Sequence, residues 1–366
     1  MDDDGSSAAW APVDPAFGPP SAGPPTQPAG PPQPAYGPPP GYGYGWGPPP
    51  PPRPKGGSVR TGPLPLHPMT VGDILDGAFK LLKANAKTLF TIVAVFTVPL
   101  QLIAAFSQRN ALGGAGFFDV LNDPSVAEAA AEEGQSGAEL LLQLLTALLN
   151  ILVLPFLAGA ISLVVGASYL GYEIGPAEAL RRTLRRGWAL FASWVLVHIM
   201  EVLGFAGLLV LAVVIGLVTG SGVLGVVLGI IGFLVGVPLF FVVMALSVMV
   251  APAIVVEELG PIRGIRRSWS LGRRRFWPVL GIALLAGLLS SVIGNTLGFV
   301  PQVLAFIVGL EWGWLLLALG AIVAALVTQP IVAIVATLQY FDARIRFEGF
   351  DLQVIASELA GPGAPR

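Results

Sequence analysis

One stretch limits this chain more than any other: 33 residues, Leu140 to Tyr172, without a single charge. An apolar run of about 20 residues is enough to cross a bilayer, and this run has counterparts along the sequence. Inside a membrane every backbone polar group must be satisfied within the protein, so runs of this length fold as helices. The expected class is therefore an all-α integral membrane protein with six transmembrane helices. The spans are placed at about 88–108, 142–170, 188–218, 223–255, 276–300 and 313–341, within a membrane domain of residues 63–350. Composition agrees, with 54% hydrophobic and 11% charged residues, where soluble domains carry about 25% charged. Pro155 is expected to kink or tilt the second span, and Pro301 to mark the end of the fifth regular helix.

The charges that remain are clustered. Gly260 to Leu280 holds six of the 20 Lys and Arg residues. On an ideal helix Ile262, Ile265, Trp269 and Phe276 share one narrow arc. Arg263, Arg266, Arg267, Arg273 and Arg274 occupy the adjoining arc, and Leu271 and Arg275 fall outside both. This is the pattern of a basic amphipathic helix lying in a membrane interface. Gly175 to Trp188 repeats it, with Ala177, Leu180, Leu184 and Trp188 on one face and Arg181, Arg182, Arg185 and Arg186 on the other. Gly175-Pro176 and Arg181-Arg182 align with Gly260-Pro261 and Arg266-Arg267 at an offset of 85. A third helix opens at Thr70, where Thr70 and Asp73 resemble a capping box. Its apolar positions are Val71, Ile74, Leu75, Ala78, Leu81 and Leu82, and it matches the other two in pattern alone. The chain therefore reads as three repeats of an amphipathic interfacial helix plus a transmembrane hairpin.

Orientation follows from the basic residues. Lys80, Lys83, Lys87, the two arginine clusters, Arg344 and Arg346 flank one set of span ends, against Arg109 alone on the other. The positive-inside rule then puts both termini in the cytoplasm, and a plasma-membrane location is expected. The acidic connector Arg109 to Glu139 faces outside. Residues 1–62 are a Pro/Gly/Tyr-rich cytoplasmic tail with too little apolar surface to offset ordering entropy, so disorder is expected. The tail is either a tether or a docking segment for a protein partner. No basic stretch or early apolar run opens the chain, so no cleavable signal peptide is expected. Residues 351–366 form a short second tail.

Few residues could carry chemistry. Cysteine is absent and histidine is limited to His67 and His198, so no metal site and no cofactor is expected. No nucleophile elbow, phosphate-binding glycine loop or zinc-binding His-Glu motif is present, so no catalytic activity is expected, and no nucleic-acid partner. An ionisable group inside a membrane is a site candidate by default, which singles out Glu201, three residues after His198. Asn150, Asn295 and Gln329 are its candidate neighbours. Together they form either an intramembrane polar site or interhelical hydrogen-bond glue. The arginines Arg181, Arg182, Arg185, Arg186, Arg263, Arg266, Arg267, Arg273, Arg274 and Arg275 either bind anionic lipid headgroups or phosphate, or only set topology. Gly222, Gly225, Gly229, Gly232 and Gly236 trace a seam on the fourth span, for a neighbouring helix or for a second copy in a homo-oligomer.

Three stretches together resemble a known family. They are Thr70 to Lys83, Gly260 to Trp277 and Tyr340 to Leu352. They are similar to actinobacterial multipass membrane proteins related to the membrane domain attached to some glycerophosphoryl diester phosphodiesterases. The resemblance covers about Leu64 to Leu352 and is most specific at Arg266-Arg267-Ser268-Trp269. It implies a six-span protein with a Pro-rich tail. The catalytic barrel of such enzymes is a separate domain for which this chain has no room, so no catalytic residues transfer. The expected function is a membrane scaffold or lipid-associated accessory protein. The alternative is a transporter or lipid-moving protein using the polar residues around Glu201.

Overall fold

Thr70 ends the chain's approach to the first helix by accepting a hydrogen bond from the Asp73 N–H, while the Asp73 carboxylate accepts from the Thr70 N–H. The capping box read from the sequence is formed, and α1 (Val71–Ala84) follows. A computed structural model describes residues 67–110, 115–126, 128–129 and 136–359, with no side-chain description for 355–359. These residues lie in one unit, Lys55–Arg366. The Pro-rich tail expected at 1–62 lies outside the described residues.

After α1 come α2 (Ala86–Phe106), the short α3 (Phe117–Asn122) and α4 (Gly137–Tyr169). The second group is α5 (Pro176–Arg185), α6 (Gly187–Thr219), α7 (Gly222–Ser247) and α8 (Val250–Val256). The third is α9 (Pro261–Gly272), a 3-10 turn at Arg273–Arg275, α10 (Phe276–Val308) and α11 (Leu310–Glu348), then α12 (Phe350–Leu359). Six helices are long and apolar enough to cross a membrane. They are α2, α4, α6, α7 with α8, α10 with α9, and α11. The described residues contain no strand, and the chain is a multipass helical membrane protein.

Helix ends use the expected chemistry. Gly220 turns the chain between α6 and α7 at φ +66°, and Ser221 then caps α7 by accepting from the Leu224 N–H. One expectation fails. The fifth helix does not stop at Pro301 but continues to Val308. The Pro301 ring lies against Gly320 of α11, where a side chain would collide with it. A proline kept this close to a neighbouring helix is tolerated within a span.

α11 is the centre of the bundle, packing on α10, α2, α1 and α4. The core lies at the arginine-rich end, where Ile74, Leu81, Ile92, Ile161, Tyr169, Ile334, Leu338 and Phe341 are fully buried. The hairpin α6–α7 stands apart: 6% of the α6 span is buried, against 44% of α4. α6 and α7 close mainly on each other. Gly225 meets Gly216 backbone to backbone, Gly232 lies on the Leu208 carbonyl, and Gly236 lies on Phe205. Most of the α7 glycine seam is thus used on α6 of the same chain. Gly222 and Gly229 have open space beside them.

The three short helices share a mode of packing. Ala179 and Thr183 are buried on the second, with Gly187 at the start of α6, and 85 residues later Gly264, Ser268 and Gly272 are buried on the third. Ile74, Ala78 and Leu82 hold the corresponding places on α1, counted from the N-cap. Each helix also rests on the long helix that ends the neighbouring hairpin. α5 lies on α4, α9 on α7 and α8, and α1 on α11. Since α11 is last and α1 first, the contacts close into a ring.

Candidate functional site at the arginine-rich end

α9 has three faces. The small stripe Gly264, Ser268 and Gly272 is buried: Gly264 lies against Ile254, Gly272 against Leu246 and Met249, and the Ser268 hydroxyl donates to the Leu246 carbonyl at 2.5 Å. The apolar arc seen in the sequence turns outward, with Ile262 exposed and Ile265 and Trp269 half-buried. The third face is basic, and it divides its arginines between two tasks.

Arg267 and Arg275 turn inward. Arg267 grips Glu348 with both guanidinium ends, at 2.5 and 2.7 Å, and donates from Nε to Glu257 at 2.8 Å. Tyr340 donates its hydroxyl to the same Glu257 oxygen at 2.5 Å, and Arg344 pairs with Glu348 at 3.2 Å. Beside this lies a second knot around Asp342, which is almost wholly buried. Asp342 accepts from Arg275 at 2.5 Å, from Arg346 at 2.9 Å and from the Met69 N–H at 2.7 Å. Arg346 also donates to the Met69 carbonyl at 2.7 Å. Bidentate pairing with Arg267 fixes the geometry of Glu348. Arg275 was one of two residues outside both arcs of the helical wheel, and the 3-10 turn directs it to Asp342.

Glu257 owes its position to its neighbour. Glu258 takes a left-handed conformation, φ +53°, which ends α8 and turns the chain into α9. Glu257 then faces the knot, and Glu258 faces Arg186 at 2.5 Å.

The other arginines stay at the surface. Arg181 and Arg182 both donate to Glu178 of their own helix. Arg273 donates to the Trp269 carbonyl at 3.3 Å, and Arg274 lies over the Phe347 ring at 5.1 Å. Arg185, Arg263 and Arg266 are exposed and have no partner among the described residues. Leu184, Trp188, Ile262 and Trp277 are exposed at the same end, Trp188 and Trp277 by three quarters. A cavity of about 930 Å³ opens beside α5, with Arg182, Arg185 and Arg186 at its rim and Gly166, Val255 and Phe341 in its floor. Glu173, Glu178 and Glu258 line it too, so the rim is charge-balanced.

The intramembrane polar residues do not come together. His198 is half-exposed on the outside of α6, its ring tilted by 33° against Trp194 with centroids 4.1 Å apart, and its Nε2 is 3.9 Å from Glu201. Asn150 of α4 accepts from Gln101 of α2 at 3.4 Å. Asn295 donates within α10 to the Ser291 carbonyl at 2.8 Å. Gln329 lines a separate cavity between α4, α10 and α11. Sequence reasoning missed Glu257, Asp342 and Glu348, the acids of the knots. The visible sign was the alternation of acid and base four residues apart in Asp342/Arg346 and Arg344/Glu348, at the end of a span otherwise almost free of charge.

The three stretches that carried the family resemblance therefore meet in space: Met69 and α1, α9, and the last turns of α11. Neither a curated protein nor a solved structure matches the chain. The sequence pattern of a family of unknown function, DUF7544, matches residues 72–345, from α1 into the last turn of α11, and the chain belongs to that family.

Proposed function

We propose that this protein is a non-catalytic scaffold or lipid-associated accessory protein of the plasma membrane, and that it gathers anionic headgroups at its arginine-rich end. One observation carries the reading. Among the described residues Arg185, Arg263 and Arg266 have no carboxylate partner, and they project from that end between exposed Trp188, Ile262 and Trp277. Cations flanked by interfacial aromatics are what a surface needs to sit at headgroup depth. The same cations favour placing this end, and both termini, in the cytoplasm, where anionic lipids lie. The acids and bases that could have served chemistry are paired with each other in the knots, which supports a role without catalysis. The resemblance to the membrane domains that accompany glycerophosphoryl diester phosphodiesterases is compatible with this reading, since no catalytic residues transfer with it. The transporter alternative loses support because Glu201, Asn150 and Asn295 lie at separate places. A protein partner for the Pro-rich tail remains part of the scaffold proposal.

The test is lipid selectivity. The protein reconstituted with mixed phosphatidylcholine and phosphatidylglycerol should retain phosphatidylglycerol preferentially through purification. Replacing Arg185, Arg263 and Arg266 by Gln should reduce that enrichment roughly tenfold or more, since each basic residue near an anionic surface contributes about 1 kcal/mol. Equal lipid retention by the triple variant overturns the proposal.

A further inference from the structure

The bundle holds a second cavity, away from the arginines. It has a volume of about 600 Å³ and lies between α4, α10 and α11, within the range of about 300–1,000 Å³ typical of ligand sites. Leu157, Ile161, Ala286 and Val335 give it apolar walls, and no charged residue lines it. Two side chains in its wall are out of place. Gln339 is 3% exposed, yet among the described residues neither its amide nitrogen nor its amide oxygen has a hydrogen-bond partner. Ser290, 8% exposed, has an unpaired hydroxyl. A buried polar group left unpaired costs about 1–3 kcal/mol, more than a random packing fault would keep twice in one cavity.

We propose that this cavity binds an uncharged lipid with a hydroxyl or ester carbonyl in its head, of the mono- or diacylglycerol class. The Gln339 amide can donate to a carbonyl and accept from a hydroxyl at once, and Ser290 can do either. A charged headgroup finds no counter-ion in the lining, while the apolar walls suit an acyl chain. The polar groups are spread along the cavity. Gln329 and Gln339 are 10 residues apart on α11, roughly 15 Å along the helix, so a head at Gln339 leaves its chain directed toward mid-span. Access is sideways from the bilayer: Gly287, Ser291 and Val332 line the cavity and are exposed. A Cβ at Gly287 would meet nothing within 4 Å, so there is open space at this edge of the cavity. The site shares no residue with the free arginines, and it stands whether or not they bind anionic lipid.

Photolabelling tests it. Full-length protein in phosphatidylcholine vesicles is exposed to a monoacylglycerol carrying a diazirine in its acyl chain, and labelled peptides are mapped. Label should fall on α4, α10 and α11, and unlabelled monooleoylglycerol should compete where phosphatidylglycerol does not. Gln339→Leu should lower labelling about fivefold, the scale of one hydrogen bond. Gly287→Phe should abolish it by filling the opening, in protein that remains monodisperse. Arg185→Gln with Arg263→Gln should leave labelling unchanged. Label spread equally over the exposed α6–α7 hairpin, label equal in both cavity variants, or no label, as for a cavity holding only water, overturns the proposal.

Discussion

Asp342 ties the last turns of α11 to the start of α1 and to the turn before α10. It is 4% exposed and bound by two arginines and one backbone N–H, from three separate segments. Removing one partner of a buried ionic group strands the rest and typically costs 3–5 kcal/mol. Arg275 and Arg346 are only half-buried and can turn to water, so the lower end applies. Asp342→Ala should therefore destabilise the solubilised protein by about 3 kcal/mol, seen as a lower melting temperature; no change would mean the knot is incidental. Asp73 offers a milder case. The Thr70 N–H, then the Thr70 hydroxyl, hold its carboxyl below the usual carboxylate range. With the folded value depressed, this cap contributes fully above the unfolded pKa of about 3.9, and its contribution is lost as pH falls through the folded value. Amide exchange in the first turn of α1 should accelerate in that acid range and, in Thr70→Ala, already be fast at neutral pH. The i,i+4 pairs Asp342/Arg346 and Arg344/Glu348 could be read from spacing, but the tie from Met69 to Asp342 could not, because the two are 273 residues apart and periodicity carries no information over such a span.

At the scale of elements, the sequence was most informative where lipid is the solvent. Six long apolar runs became six helices because the backbone has no alternative in a membrane. The buried face of α9 was not legible in the sequence. In a soluble protein an apolar arc points to the core, but here Ile262 faces outward and the buried face is the stripe Gly264, Ser268 and Gly272. Between membrane helices close approach of backbones, not hydrophobicity, selects the interface. Pro301 was misread for a related reason, since a bundle can keep a proline that an isolated helix would not. The stripe gives a sharp expectation. A Cβ at Gly264 would run into the Ile254 side chain, and one at Gly281 would meet nothing. Gly264→Leu should force α9 off α8 and abolish monodisperse protein, while Gly281→Leu should be tolerated. Size-exclusion profiles of the two variants decide the matter; equal behaviour would refute tight packing at Gly264.

For the whole molecule the question is whether the first helix only precedes the bundle or completes it. α5 rests on α4 and α9 on α7 and α8, so the chain builds forward, each short helix using the span just made. α1 has no preceding span and instead takes α11, the last one, with Met69 tied to Asp342 and Arg346. The three short helices bury matching positions, and the α1–α11 contact joins the first of them to the last span. Closure has a thermodynamic signature. Residues that share one network are not additive on mutation, with coupling of about 0.5–3 kcal/mol. Deleting residues 1–85 and substituting Asp342→Ala should each lower the melting temperature, yet the combination should be little worse than the deletion alone, because the deletion removes Met69 and the packing that Asp342 secures. Additive losses would mean that α1 and the last turns of α11 are stabilised separately. In that case the arginine-rich end would be a row of independent helices, and the ring would be open at the place where its first and last elements meet.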